Sequence, residues 1–323
     1  MAQFDIYASI TDRILEQLAQ GQIPWQRPWH GGLEGAKSYV TGKPYSLLNQ
    51  LLLGREGYYL TWKQITDLGG RVKKGCKSNI VVFYKMTKYK ETKMVDGEIK
   101  EKEKLIPLLR YYTVFHEEDC EGISPKGNKD EKPVSPLTPV EEAEKVVEGY
   151  YGREACKLHV ELSNRAFYSP SEDSVTVPKL EQYEIVEEYY STLFHETTHS
   201  TGHSSRLNRD MTGHFGSDSY SKEELVAELG AAFLVQKCGM DSAKAFKNSV
   251  AYIQSWSKKL KEDKKLIVSA ASKAEKAVKF ILTGERPTPV KQRDGKGICP
   301  LTMSFFVSAV GRCDNASRLL LSI

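Results

Sequence analysis

Residues 195–199 read His195-Glu196-Thr197-Thr198-His199. Two histidines four positions apart fall on one face of an α-helix, so both imidazoles can reach one metal ion. Glu196 lies beside them, placed to take a proton from metal-bound water. Neutral imidazole suits zinc, and a catalytic zinc has three protein ligands and one open position. Such an ion lowers the pKa of its water to about 7 and polarises a carbonyl oxygen. The chemistry on offer is metal-assisted hydrolysis of a peptide-like bond.

The third ligand must come from downstream, where several residues compete. Gly202 continues a spacing that would end in a ligand histidine, but the final position is Ser205. His203 follows His199 by four residues, past a glycine that ends the helix, and His214 falls in an irregular stretch. Glu224 and Glu228 sit four apart in the helical run Glu223 to Gly230. The pattern of gluzincin-type zinc sites favours Glu224 as ligand and Glu228 as acceptor for a ligand histidine N–H. Glu223 reads as solvent-facing. His203 reads as a cation at the helix C-terminus, and Tyr168 as a packing residue.

The elements around this motif are mostly helical. The patterns over 139–149, 181–201, 221–238, 242–260 and 263–283 predict helices. Residues 165–177 predict a hairpin turning at Ser-Pro-Ser-Glu-Asp. In the first half, Ile6, Ile10, Ile14 and Leu18 form one apolar stripe of a helix over 4–20. Short helices are expected over 46–53 and 62–68, the second capped by Thr61. Strands are expected over 77–84 and 108–115, around a charged hairpin or loop at 86–104. A Gly-, Ser-, Pro- and Lys-rich stretch over 122–137 reads as a linker.

The first half has a second kind of chemistry. Residues 1–116 carry 18 Lys and Arg against 11 Asp and Glu, within a chain of net charge +4. Single-stranded nucleic acid needs cations along a groove and flat rings for bases to stack on. Trp25, Trp29, Tyr45 and Trp62, interleaved with Lys43, Lys63, Arg71, Lys73, Lys74 and Lys77, supply both.

The whole chain has 323 residues, 40% hydrophobic and 27% charged. That length suits two domains, and that composition excludes collagenous and globally disordered classes. No apolar run of about 20 residues is present, and no secretory signal is expected at the start. Six cysteines without a CxxC pair read as reduced thiols of a cytoplasmic protein.

The chain resembles the ArdC-type antirestriction proteins of mobile elements. The resemblance rests on Ile23-Pro24-Trp25, Pro28-Trp29, Thr41 to Ser46, Leu60 to Gln64, Gly69 to Gly75, Val81 to Tyr84 and Tyr112 to Phe115. In the second half it rests on 195–199, Thr201-Gly202-His203, Ser205 to Arg209 and Glu223 to Phe233. It implies an α+β fold: an N-terminal α+β single-stranded-DNA-binding domain at 1–121, a linker at 122–137, and a mainly helical zincin-like domain at 138–286. The latter is a metallopeptidase domain with a small edge sheet. A tail follows at 287–323. It further implies a zinc-dependent peptidase that protects incoming DNA, with His195, His199 and Glu224 on Zn2+ and Glu196 as general base. Single-stranded DNA and a host DNA-processing or restriction protein are the implied partners, and no membrane. The alternative is a DNA-coating protein with a structural or vestigial zinc. Departures are Thr197-Thr198 for the usual Leu-Gly or Leu-Ala, Ser200 for an aromatic, and Cys76 for a glutamate.

Overall fold

The apolar stripe of the first helix finds its partners at the far end of the chain. In a computed structural model describing residues 5–26, 35–95, 98–126, 138–211, 218–241 and 250–286, helix α1 spans Ile6–Ala19. Asp5 caps it, its side chain accepting from the Ala8 amide at 3.1 Å. Ile10, Ile14 and Leu18 are buried against helices α7 (Val250–Glu262) and α8 (Leu266–Thr283). The Thr11 hydroxyl donates to the Lys264 carbonyl at 2.8 Å, across 253 residues of sequence. Helix α2 (Leu47–Leu53) joins the same cluster, as do Leu225, Val226 and Leu229 of helix α6 (Asp218–Lys237). One hydrophobic core therefore takes residues from both sides of the 122–137 stretch.

The N-terminal sheet has the order β1-β2-β5-β4. Strand β1 (Ala36–Ser38) runs parallel to β2 (Gly57–Thr61), which pairs antiparallel with β5 (Glu98–His116). Strand β4 (Asn79–Val95) continues beside β5 as a long two-stranded ribbon. The expected strands are present and longer than their apolar runs; the turn residues Asp96 and Gly97 lie outside the described residues. Buried Asn49 ties α2 to this sheet through both backbone groups of Val82, at 2.7 and 2.8 Å. Helix α3 (Trp62–Asp67) starts at Thr61 with a capping box completed by Gln64. It packs beside the short pair β3 (Arg71–Val72) and β6 (Cys120–Glu121).

A second cluster is built around the motif. Helix α4 (Pro139–Tyr151), helix α5 (Val186–Ser200), the end of α6 and the end of α8 enclose Tyr190, Phe194, Leu234 and Phe280. A three-stranded sheet, β7-β9-β8, flanks α5. Strands β8 (Phe167–Ser169) and β9 (Ser174–Pro178) form the expected hairpin, and β7 (Lys157–Glu161) adds in parallel to β9. Residues 242–249, the start of one expected helix, and the tail from Pro287 lie outside the described residues.

Candidate metal centre

Helix α5 is buried over most of its second half, which fixes its rotation. Its hydroxyls are satisfied locally. Thr197 and Thr198 each donate to the carbonyl four residues back, at 2.7 Å. Tyr151 meets the Thr197 hydroxyl at 2.9 Å, and Tyr150 meets that of Ser200 at 2.7 Å. The unusual Thr-Thr-His-Ser sequence is thus accommodated without an orphaned hydroxyl. An aromatic from α4, Tyr150, stands against Ser200.

The opposite face presents the histidines to α6. The Nε2 atoms of His195 and His199 lie 3.1 Å apart. Glu224 reaches both, its Oε2 3.6 Å from His195 and its Oε1 3.4 Å from His199. Among the described residues this is the one trio of His, Cys, Asp or Glu donors gathered within 4.8 Å. Neither His203 nor Ser205 joins it; His203 bonds the Ser205 hydroxyl at 2.7 Å. His214 lies outside the described residues.

Glu223 corrects the expectation that it faces solvent. It is 7% exposed, and its Oε1 lies 3.4 Å from His199 Nδ1. Arg209 clamps it at 2.6 and 3.0 Å, while also donating to the Thr198 carbonyl and the Thr201 hydroxyl. A proton held at Nδ1 by Glu223 leaves Nε2 as a lone pair, which is the state a metal needs. One carboxylate oxygen of Glu228 is buried, and its charge acts on His195.

The electrostatics match. Burial disfavours charge on His199, but hydrogen bonds to Glu223 and Glu224 outweigh it and lift the imidazole to about 9. His195 is lifted too, with Glu224 again overcoming burial. Glu224 is held far below the usual carboxylate range, because the two histidines prevail over desolvation. Two imidazole nitrogens and a carboxylate converging this closely, in one cleft, fit a single divalent cation.

That cleft has a volume of about 340 Å³ and is lined by these residues together with Glu196, Phe167, Tyr168 and Met211. A larger groove of about 540 Å³, between α1 and α7, has no His, Cys, Asp or Glu in its lining. Tyr168 is more than packing. Its hydroxyl donates to Asp173 at 2.9 Å and receives Arg206. Buried Arg206 also pairs with Asp173 and donates to the Ser200 carbonyl at 2.8 Å, joining the β8–β9 turn to the end of α5. Sequence reasoning missed this joint and the Glu223–Arg209 clamp. Each brings together residues whose partners lie on other elements.

The aromatic and basic residues divide. Trp25 is a correction: it is 2% exposed, wedged edge-on against Trp256, and has no face for a base. Trp62 is 59% exposed at the start of α3, its ring edge-on to Phe115 at 6.0 Å. Tyr45 is half-buried against Tyr59. Lys43, Lys74 and Lys77 are exposed. Lys63 pairs with Asp67 at 3.2 Å, Arg71 with Glu121 at 2.6 Å, and Lys73 donates to the Glu118 carbonyl. Such exposed pairs are worth at most about 1 kcal/mol, so a phosphate can displace them. Phe83 and Tyr111 are exposed rings that sequence reasoning did not single out. Trp29 lies outside the described residues.

Comparison with known proteins matches two stretches of the chain to two families. Residues 4–115 match the family described as the N-terminal domain of anti-restriction factor ArdC, and residues 144–273 match zincin-like metallopeptidases. A protein named DNA primase TraC from Escherichia coli is 33% identical over 313 residues, covering 91% of this chain. The chain spans only 28% of that relative's length. The crystal structure of the antirestriction ArdC protein from the R388 plasmid, metal-free, is 32% identical with a TM-score of 0.63. Its Mn(II)-bound structure is 31% identical with a TM-score of 0.64. Each alignment covers 86% of this chain and 97% of that protein.

Proposed function

The chain belongs to the ArdC-type antirestriction family and carries its zincin-like domain; from that premise we propose a two-part activity. The first half binds single-stranded DNA, and the second is a zinc-dependent peptidase whose action protects incoming DNA. The observation that carries the peptidase reading is the trio His195, His199 and Glu224 in one cleft with Glu196. Three protein donors are the count of a catalytic zinc site with an open position. The cytoplasm is the compartment we assign; Cys76, Cys120, Cys156 and Cys238 are free thiols. Among the described residues, no helix is long and apolar enough to cross a membrane.

His195, His199 and Glu224 would hold the ion, which when bound supplies a Lewis acid and a water of lowered pKa. Glu223 holds the His199 proton at Nδ1. Glu196 takes a proton from the attacking water and returns it to the leaving amine as the C–N bond breaks. Strand β8 lies at the edge of its sheet, and its Phe167 and Tyr168 line the cleft. An extended peptide fits along it by strand addition. Trp62, Lys74, Lys77 and the displaceable cations of Lys63, Arg71 and Lys73 form the DNA face.

The test measures metal content, single-stranded DNA binding and cleavage of denatured protein on wild type and Glu196→Gln. One divalent ion per chain in both, with cleavage falling about 10²–10⁴-fold in the variant, is the expected result. Metal and DNA binding without cleavage by wild type would favour the DNA-coating alternative. No metal in wild type would sink the peptidase reading.

A further inference from the structure

Glu228 lies one helical turn beyond Glu224 on α6. Its Oε2 atom is buried and has no hydrogen-bond partner. The Tyr252 hydroxyl, on α7, lies within hydrogen-bonding reach of the same carboxylate. The Tyr252 hydroxyl also meets Trp25 Nε1 at 3.4 Å. An indole N–H can only donate. It therefore occupies the Tyr252 oxygen, and the hydroxyl hydrogen is directed to Glu228. The line has one polarity: Trp25 N–H to Tyr252 oxygen, Tyr252 O–H to Glu228 carboxylate.

The three rings that carry this line are locked. Trp25 and Trp256 are 2% and 5% exposed and meet edge-on at 6.3 Å. Tyr252 meets Trp256 at 6.3 Å as well. Trp25 comes from the short turn Pro24–Gln26, which packs on α6 itself. The N-terminal segment therefore touches the helix that carries Glu224 and holds, through Tyr252, the carboxylate that acts on His195.

We infer that Tyr252 and Trp25 are positioning residues for the metal centre: they fix the Glu228 carboxylate one helical turn beyond Glu224 and make metal affinity depend on the N-terminal turn. Glu228 is left with one free oxygen, and a metal-bound His195 needs an acceptor for its other N–H. Removing the Tyr252 hydroxyl lets the carboxylate turn away from that task. Displacing the Trp25 turn does the same at one remove. The inference rests on the metal reading above and adds to it a link between the two halves of the chain.

The experiment uses the full chain, with zinc(II) alone titrated against a competing chelator and cobalt(II) alone read by its visible spectrum. Tyr252→Phe is expected to weaken zinc binding about tenfold, as loss of an outer hydrogen-bond partner does, and to shift the cobalt bands. Trp25→Phe should act in the same direction by a smaller factor. The double variant should be no weaker than Tyr252→Phe, because both act along one line. A residue that only packs would lower the melting temperature and leave affinity and cobalt spectrum unchanged; that result overturns the inference. Wild-type affinity in Glu228→Gln would overturn it too, since the line would then end on nothing. A wild-type chain that takes up neither ion overturns the metal reading itself.

Discussion

Gly230 is a point where α6 comes close to the motif helix, and Gly230→Ala tests whether that closeness sets the metal site. A Cβ built there would lie 2.6 Å from both Cγ2 and Oγ1 of Thr198. Rotating Thr198 only exchanges one clash for the other. Thr198 has no room to withdraw: it is fully buried, and its hydroxyl is engaged by the Phe194 carbonyl. Ordinary carbon contacts need about 3.5–4.0 Å, so α5 and α6 must part by roughly 1 Å. Two effects on stability oppose one another. Alanine gains about 1 kcal/mol of helix propensity over glycine, while overpacking costs about 1–3 kcal/mol. The net is a loss of about 1 kcal/mol, a fall of about 2–4 °C in melting temperature. The larger effect falls on the metal, because Glu224 rides on α6 and both histidines on α5. A displacement of that size should weaken zinc binding about 10–100-fold. Adding Thr198→Ala removes both clashing atoms and should recover most of the affinity. Calorimetric zinc titration and melting in chelator read the two effects separately. A Gly230→Ala protein that is more stable than wild type and binds zinc equally would show that propensity alone operates there, and the close-contact reasoning would be refuted.

Other outcomes follow from the same geometry. Zinc held at His199 would compete with protons there, since the folded pKa of about 9 stands above the ordinary value. Protonation therefore stabilises the metal-free protein fully below about 6.5 and is lost as pH rises through 9; zinc affinity should climb over that window, and a flat titration series would contradict this. Arg206→Met leaves Asp173 without its buried cation and should cost about 3 kcal/mol, the low end for such a pair because Asp173 keeps some solvent. The Asp173 pKa is depressed, chiefly by Arg206, so this stabilisation is present above about 3.9 and fades at lower pH. Asp173→Asn should flatten the acid limb of a melting-versus-pH curve. Trp62→Ala should weaken single-stranded DNA binding by about 1–3 kcal/mol without changing the melting temperature. Trp25→Ala should instead destabilise the fold by about 3–5 kcal/mol; equal effects of the two on DNA binding would undo the distinction drawn from their exposure.

What could be read in advance was local. The 195–199 motif, the Ile6-to-Leu18 stripe, the Thr61 cap and the hairpin at 165–177 are each contained in a short window. That Glu224 would gather with the two histidines could be read as well, because its helix is long and its pattern is known. The features that escaped depend on distant partners. Strand β2 is only Gly57–Thr61, and its pairing with β5 lies more than fifty residues away. Trp25 looked like a surface ring because its neighbours are proline and arginine; its burial is decided by Tyr252 and Trp256. Glu223 and Glu224 are adjacent, yet both face α5, since a helix turns only 100° per residue and Arg209 awaits the first of them. The room for Thr198 is intelligible only beside Gly230, thirty-two positions later, which supplies the smallness on α6 that a threonine on α5 needs.

The shared core has a consequence for synthesis. Helix α1 is made before α7 and α8, and part of its stripe waits for them. The contact between Thr11 and Lys264 spans 253 residues, which at about 5–20 residues per second takes roughly 10–50 s. For that interval Ile10, Ile14 and Leu18 have only the earlier part of their native surroundings, α2 and the turn at Trp25, and lack the cover of the C-terminal helices. That uncovered side of α1 is thus open to chaperones and proteases, and helix α6 gains its last supports only when the segment 250–283 has emerged. Arrest of translation before that point yields a chain with the complete 195–199 motif and no finished core.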